Sequence, residues 1–368
     1  MLHIFCAPAR YIQGRQATRV LAEEMRKLGL SPPALIIASA SPRKLLESVW
    51  IETFKAVDFA FDVLPFSGEC SLEEIARGKQ KATQMGARCV VGVGGGKALD
   101  TARAVASELA LPVVCCPTTA ASDAPCSALS IVYTEAGVFE KCLFYKRNPD
   151  LVLVDSSVII RAPVRYLIAG MGDALATWFE ADTAQRAHKP NAMGGASTIA
   201  AAALSALCYR TLLNDGRAAV AAAHAGAITP AFERIVEANT LLSGLGFESG
   251  GLAVAHSVHN GLTAAPETHA YLHGEKVAFG TLVQLVLEGR DSAQVEEVMQ
   301  FCHAVGLPIT LQALGIAALT RDTARAIATR ATAIGETAHN EPFVVTVDAV
   351  MDALYAADAW GQAFQSAQ

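Results

Sequence analysis

Short apolar runs alternate with amphipathic stretches along roughly the first 160 residues. The apolar runs are bounded by glycine, proline or polar residues, which is typical of strands buried on both faces of a parallel sheet. They are Ala34–Ala38, Phe59–Leu64, Cys89–Val93, Val113–Cys116 and Leu151–Val154. The stretches with a helical period include Ala17–Lys27, Leu72–Met85 and Leu99–Leu109. This alternation predicts a twisted parallel sheet wrapped by helices.

The pattern changes after about Arg161, where strand-like runs give way to alanine-rich helical segments. Ala162-Pro163 marks the boundary, because proline disfavours helical backbone in the residue before it. We therefore predict an α/β N-terminal domain with a Rossmann-like sheet over residues 1–162. An all-helical C-terminal domain is predicted to follow over residues 163–368.

Composition narrows the classes of function. Of the 368 residues, 52% are hydrophobic and 17% are charged, so the chain has enough apolar surface for two cores. The net charge is −6, and dispersed basic residues do not favour a nucleic acid as partner. No stretch reaches the ~18 to 20 unbroken apolar residues of a membrane span. Nine cysteines without a C-x-x-C pair, and an N-terminus without a signal-peptide pattern, favour a cytoplasmic location.

A glycine-rich turn follows the third of these predicted strands. Gly94-Gly95-Gly96-Lys97 leads into a helix predicted to begin near Ala98. Glycines let the backbone approach a phosphate closely, and a helix N-terminus offers free N–H groups and a positive dipole end. Lys97 adds a charge, and Asp100, one turn into the helix, is placed to bond a ribose or an amide. The pattern predicts a pyrophosphate site, the alternative being a tight turn without a ligand.

Polar residues also follow the next strand. Thr118-Thr119-Ala120-Ala121-Ser122-Asp123 contributes hydroxyl groups and a carboxylate at a strand end. Loops at such positions often carry function. Taken alone, Asp123 fits a helix cap or a turn equally well.

Four histidines fall within eighteen residues: His256, His259, His269 and His273. His256 and His259 are three apart, so they share a face if this segment is helical. A helix break at Gly274 would turn the ring of His273 towards His256. A packing role remains the alternative for any one histidine, but the clustering predicts a metal site.

A carboxylate is needed to complete the ligand set. Asp173, in Gly170-Met171-Gly172-Asp173, supplies one at the predicted start of a helix. Two imidazoles and one carboxylate suit zinc and leave a fourth position for substrate or water. Iron(II) is the alternative metal.

Several ordered motifs together resemble the glycerol dehydrogenases of the iron-containing (group III) alcohol dehydrogenase superfamily, over essentially the whole chain. The segments that carry the resemblance are Gly94-Gly95-Gly96-Lys97-Ala98-Leu99-Asp100-Thr101-Ala102, Ala121-Ser122-Asp123-Ala124-Pro125-Cys126-Ser127-Ala128-Leu129-Ser130, Gly172-Asp173-Ala174-Leu175-Ala176-Thr177-Trp178-Phe179-Glu180, Ala255-His256-Ser257-Val258-His259-Asn260-Gly261-Leu262-Thr263 and His273-Gly274-Glu275-Lys276-Val277-Ala278-Phe279-Gly280.

The resemblance implies a two-domain, dehydroquinate synthase-like fold and commonly an octamer. It implies oxidation of glycerol, and of other vicinal diols, to dihydroxyacetone or the corresponding ketone with NAD. The implied zinc ligands are Asp173, His256 and His273, and Asp123 would hold a substrate hydroxyl. The residues implied to line the NAD site are Gly96 to Asp100, Thr118, Thr119, Ser127, Leu129 and Tyr133.

Two positions distinguish this chain within the superfamily. Iron-type relatives place a further histidine four residues after the aspartate ligand, where this chain has Thr177; this favours a three-ligand zinc site. Relatives often carry aspartate at the position of Ser39, where a carboxylate would bond the adenosine ribose and repel a 2′-phosphate. With Ser39 there, and Arg43 and Lys44 nearby, NAD is expected but NADP is not excluded.

The implied mechanism is hydride transfer from a zinc-bound alkoxide to the nicotinamide. His259 is a candidate for a proton relay. Phe247 is a candidate wall of the substrate pocket, with a core aromatic as its alternative reading.

Other functions are compatible with parts of the pattern. A dehydroquinate-synthase-like lyase would share NAD and metal, but it needs a basic cluster for an anionic substrate, and none surrounds Asp173 or His256. A hydroxycarboxylate dehydrogenase is disfavoured by Asp123, which would repel an anion. A non-catalytic NAD sensor conflicts with the intact ligand set, and a structural zinc site would need a fourth protein ligand.

Overall fold

A six-stranded parallel sheet lies at the centre of one of the two compact units into which the chain divides. The computed structural model describes residues 1–367. The unit with the sheet comprises Cys6–Pro163 and Gly226–Ile228. The second unit is helical and comprises Met1–Phe5, Val164–Ala225 and the described chain from Thr229 onward. No helix within residues 1–367 is both long and apolar enough to cross a membrane.

The strands of the first unit form the sheet and a separate hairpin. In chain order they are β1 (Tyr11–Gly14), β2 (Ala34–Ala38), β3 (Phe61–Pro65), β4 (Cys89–Gly94), β5 (Val113–Pro117), β6 (Leu129–Tyr133), β7 (Phe139–Phe144) and β8 (Leu151–Asp155). The sheet has the order β1-β8-β5-β4-β2-β3, with every pair parallel, while β6 and β7 pair antiparallel. The predicted α/β fold class is confirmed, and the five predicted strands are present.

Three strands escaped the sequence prediction. β1 has no apolar run to reveal it, because it is an edge strand whose residues are only half-buried and pair with β8 alone. β6 and β7 form a hairpin apart from the sheet, and nearly every residue of β7 is exposed. β6 has one buried face, at Ser130 and Val132, whereas the prediction depended on continuous apolar runs buried on both faces.

The helices of the first unit cover the sheet. They are α1 (Leu21–Lys27), α2 (Ala40–Ala56), α3 (Leu72–Met85), α4 (Gly96–Glu108) and α5 (Ser156–Ile159). The prediction omitted α2, whose first turn contains a proline. Proline is tolerated in the first turn of a helix. Leu46, Trp50 and Phe54, four residues apart, form the buried stripe that fixes α2 against the sheet.

The second unit is built from helices. They are α6 (Val164–Arg186), α7 (Ile199–His224), α8 (Pro230–Glu237), α9 (Ser243–Gly250), α10 (Val254–Leu262), α11 (His273–Leu287), α12 (Ser292–Val305), α13 (Arg321–Ala331) and α14 (Val347–Ser366), with a π-helical turn at Ala238–Leu242. The predicted change from α/β to all-helical structure is confirmed.

Two local predictions in this unit were wrong. Asp173 does not begin a helix but lies inside α6, and Gly274 does not break a helix but is the second residue of α11. The reason is packing: a Cβ atom on Gly172 would collide with the carbonyl oxygen of Gly274. These glycines let two helices approach each other closely, whereas the sequence prediction interpreted them as helix breakers.

Candidate functional site

The helical unit brings together the three predicted metal ligands. One ligand atom each of Asp173, His256 and His273 lies within 4.8 Å of the others. The Nε2 atoms of His273 and His256 are 3.0 Å and 3.4 Å from Asp173 Oδ1. Within residues 1–367 this is the one such group of His, Cys, Asp or Glu side chains that could hold a metal ion.

Close helix packing sets this geometry. Asp173 lies on α6, His256 on α10, and His273 is the first residue of α11. A Cβ atom on Gly280 would collide with the carbonyl oxygen of Ala255, so α10 and α11 also meet backbone to backbone. The start of α11 is fixed by Glu275, whose Oε2 accepts the N–H of Leu272 at 2.7 Å.

The side chains of the triad shift one another's pKa values. Burial would raise the pKa of Asp173, but the adjacent His273 and His256 outweigh it and hold that pKa well below its usual range. Burial would lower the pKa of His256, but Glu180 and Asp173 raise it well above its usual value. A carboxylate facing two imidazoles is a donor set that fits a divalent metal ion such as zinc or iron(II).

Glu180 belongs to this site although the sequence analysis gave it no role. Its Oε2 lies 2.6 Å from Nδ1 of His256, on the side of the ring away from Asp173. Glu180 is fully buried. Its spacing from Asp173, seven residues along α6, puts both on one helix face and was the available signal.

The two remaining histidines of the cluster, His259 and His269, differ in their hydrogen-bond partners. His259 Nε2 lies 3.0 Å from Nδ1 of His273, and His259 Nδ1 lies 3.1 Å from Oδ1 of Asn260. Burial and the neighbouring His273 lower the pKa of His259 well below its usual value. The Nε2 atom of His269 instead lies 3.0 Å from the carbonyl oxygen of Thr263.

The glycine-rich turn lies in the α/β unit, where β4 ends at Gly94 and α4 begins at Gly96. Gly94 is tightly packed, since a Cβ there would come within 2.5 Å of Ser39 Oγ and 2.7 Å of Ala98 Cβ. Around Gly95 and Gly96, by contrast, the nearest atoms would be 3.8 Å away. Gly95 and Gly96 are partly exposed at a helix N-terminus, which is a position that fits an anionic group such as a pyrophosphate.

Residues around this turn make contacts with one another and with neighbouring elements. The Lys97 ammonium contacts the Glu69 carboxylate and lies 5.1 Å from the centre of the Tyr133 ring. The Thr118 N–H donates to Gly94 O at 3.0 Å, which holds the end of β5 beside the turn.

Asp100 is buried in α4 and has partners of its own. Its carboxylate contacts the Arg103 guanidinium and accepts the N–H of Ile131 at 3.3 Å. Arg103 also donates to the carbonyl oxygen of Ala124. These bonds tie β6 and the loop before it to α4, a role that the sequence analysis did not foresee for Asp100 or Arg103.

Comparison with known proteins gives a consistent result. The model of the iron-containing alcohol dehydrogenase family matches residues 8–156. A glycerol dehydrogenase of Pseudomonas putida is 51% identical over 358 residues, which cover 97% of this chain and 98% of that protein. A glycerol dehydrogenase of Thermotoga maritima is 48% identical over 355 residues, 96% of each chain. This chain belongs to the iron-containing alcohol dehydrogenase family.

A solved structure agrees with this membership of the iron-containing alcohol dehydrogenase family. The crystal structure of a probable glycerol dehydrogenase from Sinorhizobium meliloti 1021 superimposes with a TM-score of 0.92 at 42% identity, covering 98% of this chain and 99% of that one. The resemblance to glycerol dehydrogenases, first indicated by the motifs, is therefore confirmed.

Thr177 lies four residues after Asp173 and has a hydroxyl group and no imidazole. It is fully buried, and its Oγ1 lies 2.8 Å from Ser243 Oγ. Phe247 is buried in α9 of the same unit. Asp123 directly precedes a short 3-10 helix, Ala124–Cys126, in the α/β unit. The roles expected for Phe247 and Asp123 stay predictions.

Proposed function

We propose that this chain oxidises glycerol to dihydroxyacetone, accepts other vicinal diols, and uses NAD as hydride acceptor with zinc as the resident metal. The observation that carries the proposal is the convergence of Asp173, His256 and His273 in a chain that matches glycerol dehydrogenases along nearly its full length. Under this proposal residues 1–162 form the NAD-binding domain and residues 163–368 the metal-binding domain.

The donor set favours zinc over iron. Asp173, His256 and His273 would hold the ion, and Thr177 offers no imidazole where iron-type relatives place one. Three protein ligands are typical of a catalytic zinc, whereas structural sites are usually closed by four. When bound, zinc would act as a Lewis acid that lowers the pKa of an alcohol, and NAD would accept a hydride.

The glycine-rich turn would bind the pyrophosphate of NAD. The partial exposure of Gly95 and Gly96, at the N-terminus of α4, supports this assignment. Lys97 would exchange its contact with Glu69 for a phosphate oxygen. The other residues proposed to line the cofactor site are Ser39, Gly94, Ala98, Leu99, Asp100, Thr118, Thr119, Ala120, Ala121, Ser127, Leu129 and Tyr133.

Three further residues would act on the substrate. Asp123 would accept a hydrogen bond from a substrate hydroxyl and disfavour anionic substrates by repulsion. Phe247 would wall the pocket. His259 would relay the proton released from the alcohol, and its contact with the ring of His273 supports a place beside the reaction.

Assembly and location are secondary parts of the proposal. An octamer is proposed from family resemblance, and a cytoplasmic location from the cysteine usage. Gel filtration coupled to light scattering would test the assembly.

The deciding experiment measures reduction of NAD and NADP by the purified protein. Glycerol, 1,2-propanediol and ethanol are supplied as substrates at alkaline pH, before chelation, after chelation and after zinc is restored. Diol-dependent NADH formation that chelation abolishes and zinc restores would support the proposal. No turnover with any diol by the zinc-loaded protein would contradict it and favour a lyase or a cofactor-binding sensor.

A further inference from the structure

Glu180 forms three hydrogen bonds at the base of the metal triad. Its Oε1 accepts the backbone N–H of Ala253 at 2.9 Å and that of His256 at 3.0 Å. Its Oε2 lies 2.6 Å from Nδ1 of His256. The side chain is fully buried, and Glu180 lies within α6. One carboxylate thus holds both the backbone and the ring of a single metal ligand.

The chemistry of these bonds fixes the tautomer of His256. A carboxylate only accepts hydrogen bonds, so Nδ1 of the ring must carry the proton that it shares with Glu180. Once the ring is neutral, Nε2, the atom that faces Asp173, is therefore the nitrogen that has the lone pair. Metal ligation by imidazole needs a lone pair at the ligating nitrogen.

We propose that Glu180 is a positioning residue that presets His256 for metal binding, in both its ring orientation and its tautomer. The inference rests on the metal site of the proposed function and deepens it. Glu180 acts through His256 and does not touch the ion. The other imidazole ligand is held by a different kind of partner: His259 Nδ1 donates to Oδ1 of Asn260, so Nε2 of the neutral His259 ring accepts from Nδ1 of His273.

The same helix end offers a matched control. The N-terminus of α10 has two side-chain acceptors: Glu180 takes the N–H groups of Ala253 and His256, and Gln284 Oε1 takes that of Ala255 at 2.9 Å. Both side chains are fully buried. Of the two, Glu180 also bonds the imidazole ring. A purely structural role for Glu180 would therefore make the two residues equivalent in their effect on metal binding.

Glu180→Gln separates these roles. The amide oxygen can still accept the two backbone N–H groups, which leaves the NH2 group facing Nδ1 of His256. A donor at that place stabilises the tautomer with the proton on Nε2, which cannot bind a metal. Zinc affinity, measured by competition with a chromophoric chelator, is expected to fall about 10- to 100-fold.

Gln284→Leu is the control. It removes a cap of the same helix without changing the ring contact, so the metal-free protein should unfold at a lower temperature while zinc affinity stays within about twofold of wild type. Equal zinc affinity of wild type and Glu180→Gln would overturn the inference. Absence of zinc binding by wild type would overturn the metal site itself, which is a different result.

A measurement on wild type covers the case in which Glu180→Gln does not fold. Protein labelled with 15N in its histidines is brought, without zinc, to an alkaline pH at which the ring of His256 is neutral. The signals of His256, identified by their loss in His256→Gln, should then show the proton on Nδ1. A neutral ring protonated on Nε2 instead would overturn the inference.

Discussion

A Cβ atom on Gly274 would collide with the carbonyl oxygen of Ala169 and would lie 2.9 Å from the backbone nitrogen of Asp173. The start of α11 therefore packs on α6 without any side chain between the two backbones. Two of the metal ligands lie at this contact. His273 directly precedes Gly274, and Asp173 is one of the residues whose backbone Gly274 approaches. The distance between two metal ligands thus depends on the absence of a side chain at residue 274.

Gly274→Ala is expected to damage the metal site together with the fold. The added methyl group must push α11 away from α6, which costs about 1 to 3 kcal/mol of unfolding free energy and separates His273 from Asp173. Zinc affinity should fall at least about tenfold, because a displaced ligand binds poorly. Urea unfolding of the metal-free protein and chelator competition measure the two effects.

Gly78→Ala is a suitable control for that substitution. A Cβ on Gly78 in the α/β unit would come within 2.7 Å of a side-chain methyl of Val105, so it should also lower stability. Zinc affinity should be unchanged, since Gly78 belongs to the α/β unit and the triad belongs to the helical unit. Wild-type zinc affinity in Gly274→Ala would show that the helix contact does not set the ligand geometry.

His259→Gln tests the proposed proton relay. The glutamine can keep a hydrogen bond to Nδ1 of His273 but cannot take up a proton near neutral pH. With zinc fully loaded, kcat for glycerol is expected to fall about 100-fold while KM changes little. His269→Gln, outside the triad, should leave kcat within about twofold of wild type. Wild-type kcat in His259→Gln across the pH range would remove His259 from the mechanism.

The strands of the sheet were predictable because their physical signal is local. Residues of β2 are buried on both faces, so every position is apolar and the predicted bounds, Ala34–Ala38, match the structure. The hairpin strand β7 is exposed, so no such run reveals it. An apolar run in the sequence indicates a buried element, whereas an exposed element does not produce such a run.

The candidate site was less accessible to local reasoning. Asp173 is far from His256 and His273 in the sequence, so it is tertiary packing that brings the three side chains together. A local pattern does not show this packing, whereas a resemblance to a family can indicate it. Glu180 was missed because its role depends on which backbone N–H groups α10 presents to it. Likewise, the pairing of Asp100 with Arg103 becomes visible only when the loop at Ala124 is placed beside α4.

Cofactor preference is expected to depend on Ser39 and on a neighbouring ion pair. Ser39 follows β2, and the guanidinium of Arg43 contacts Glu47 at 3.1 Å and 3.2 Å. Ser39→Asp should repel a 2′-phosphate and raise the ratio of kcat/KM for NAD over NADP by about tenfold or more. Glu47→Gln should lower that ratio, because it frees the Arg43 guanidinium.

The substitutions of Ser39 and Glu47 are thus expected to shift one measured ratio in opposite directions. Both variants are assayed with the same diol at saturating concentration, so that only the cofactor differs. An unchanged ratio in Ser39→Asp would place the adenosine ribose away from the end of β2.

The buried Glu341 is expected to make the protein less stable at alkaline pH. Neither of its carboxylate oxygens has a hydrogen-bond partner among residues 1–367. Burial, reinforced by the nearby Glu288 and Glu180 and opposed by Arg186 and Arg290, raises the pKa of Glu341 to about 8 from 4.5. The folded state therefore binds this proton more tightly than the unfolded state does. The resulting stability is present in full below pH 4.5 and is lost as the pH rises to about 8.

Glu341→Gln removes the ionisation while keeping the size of the side chain. At pH 5 its unfolding free energy should be close to that of wild type, and at pH 9 it should exceed wild type by up to a few kcal/mol. Urea unfolding of the metal-free proteins at pH 5, 7 and 9 measures the difference. Glu296→Gln, at an exposed position of the same unit, should show no such divergence with pH. If Glu341→Gln and wild type follow parallel curves from pH 5 to pH 9, the carboxyl of Glu341 is not the group that lowers stability in alkali.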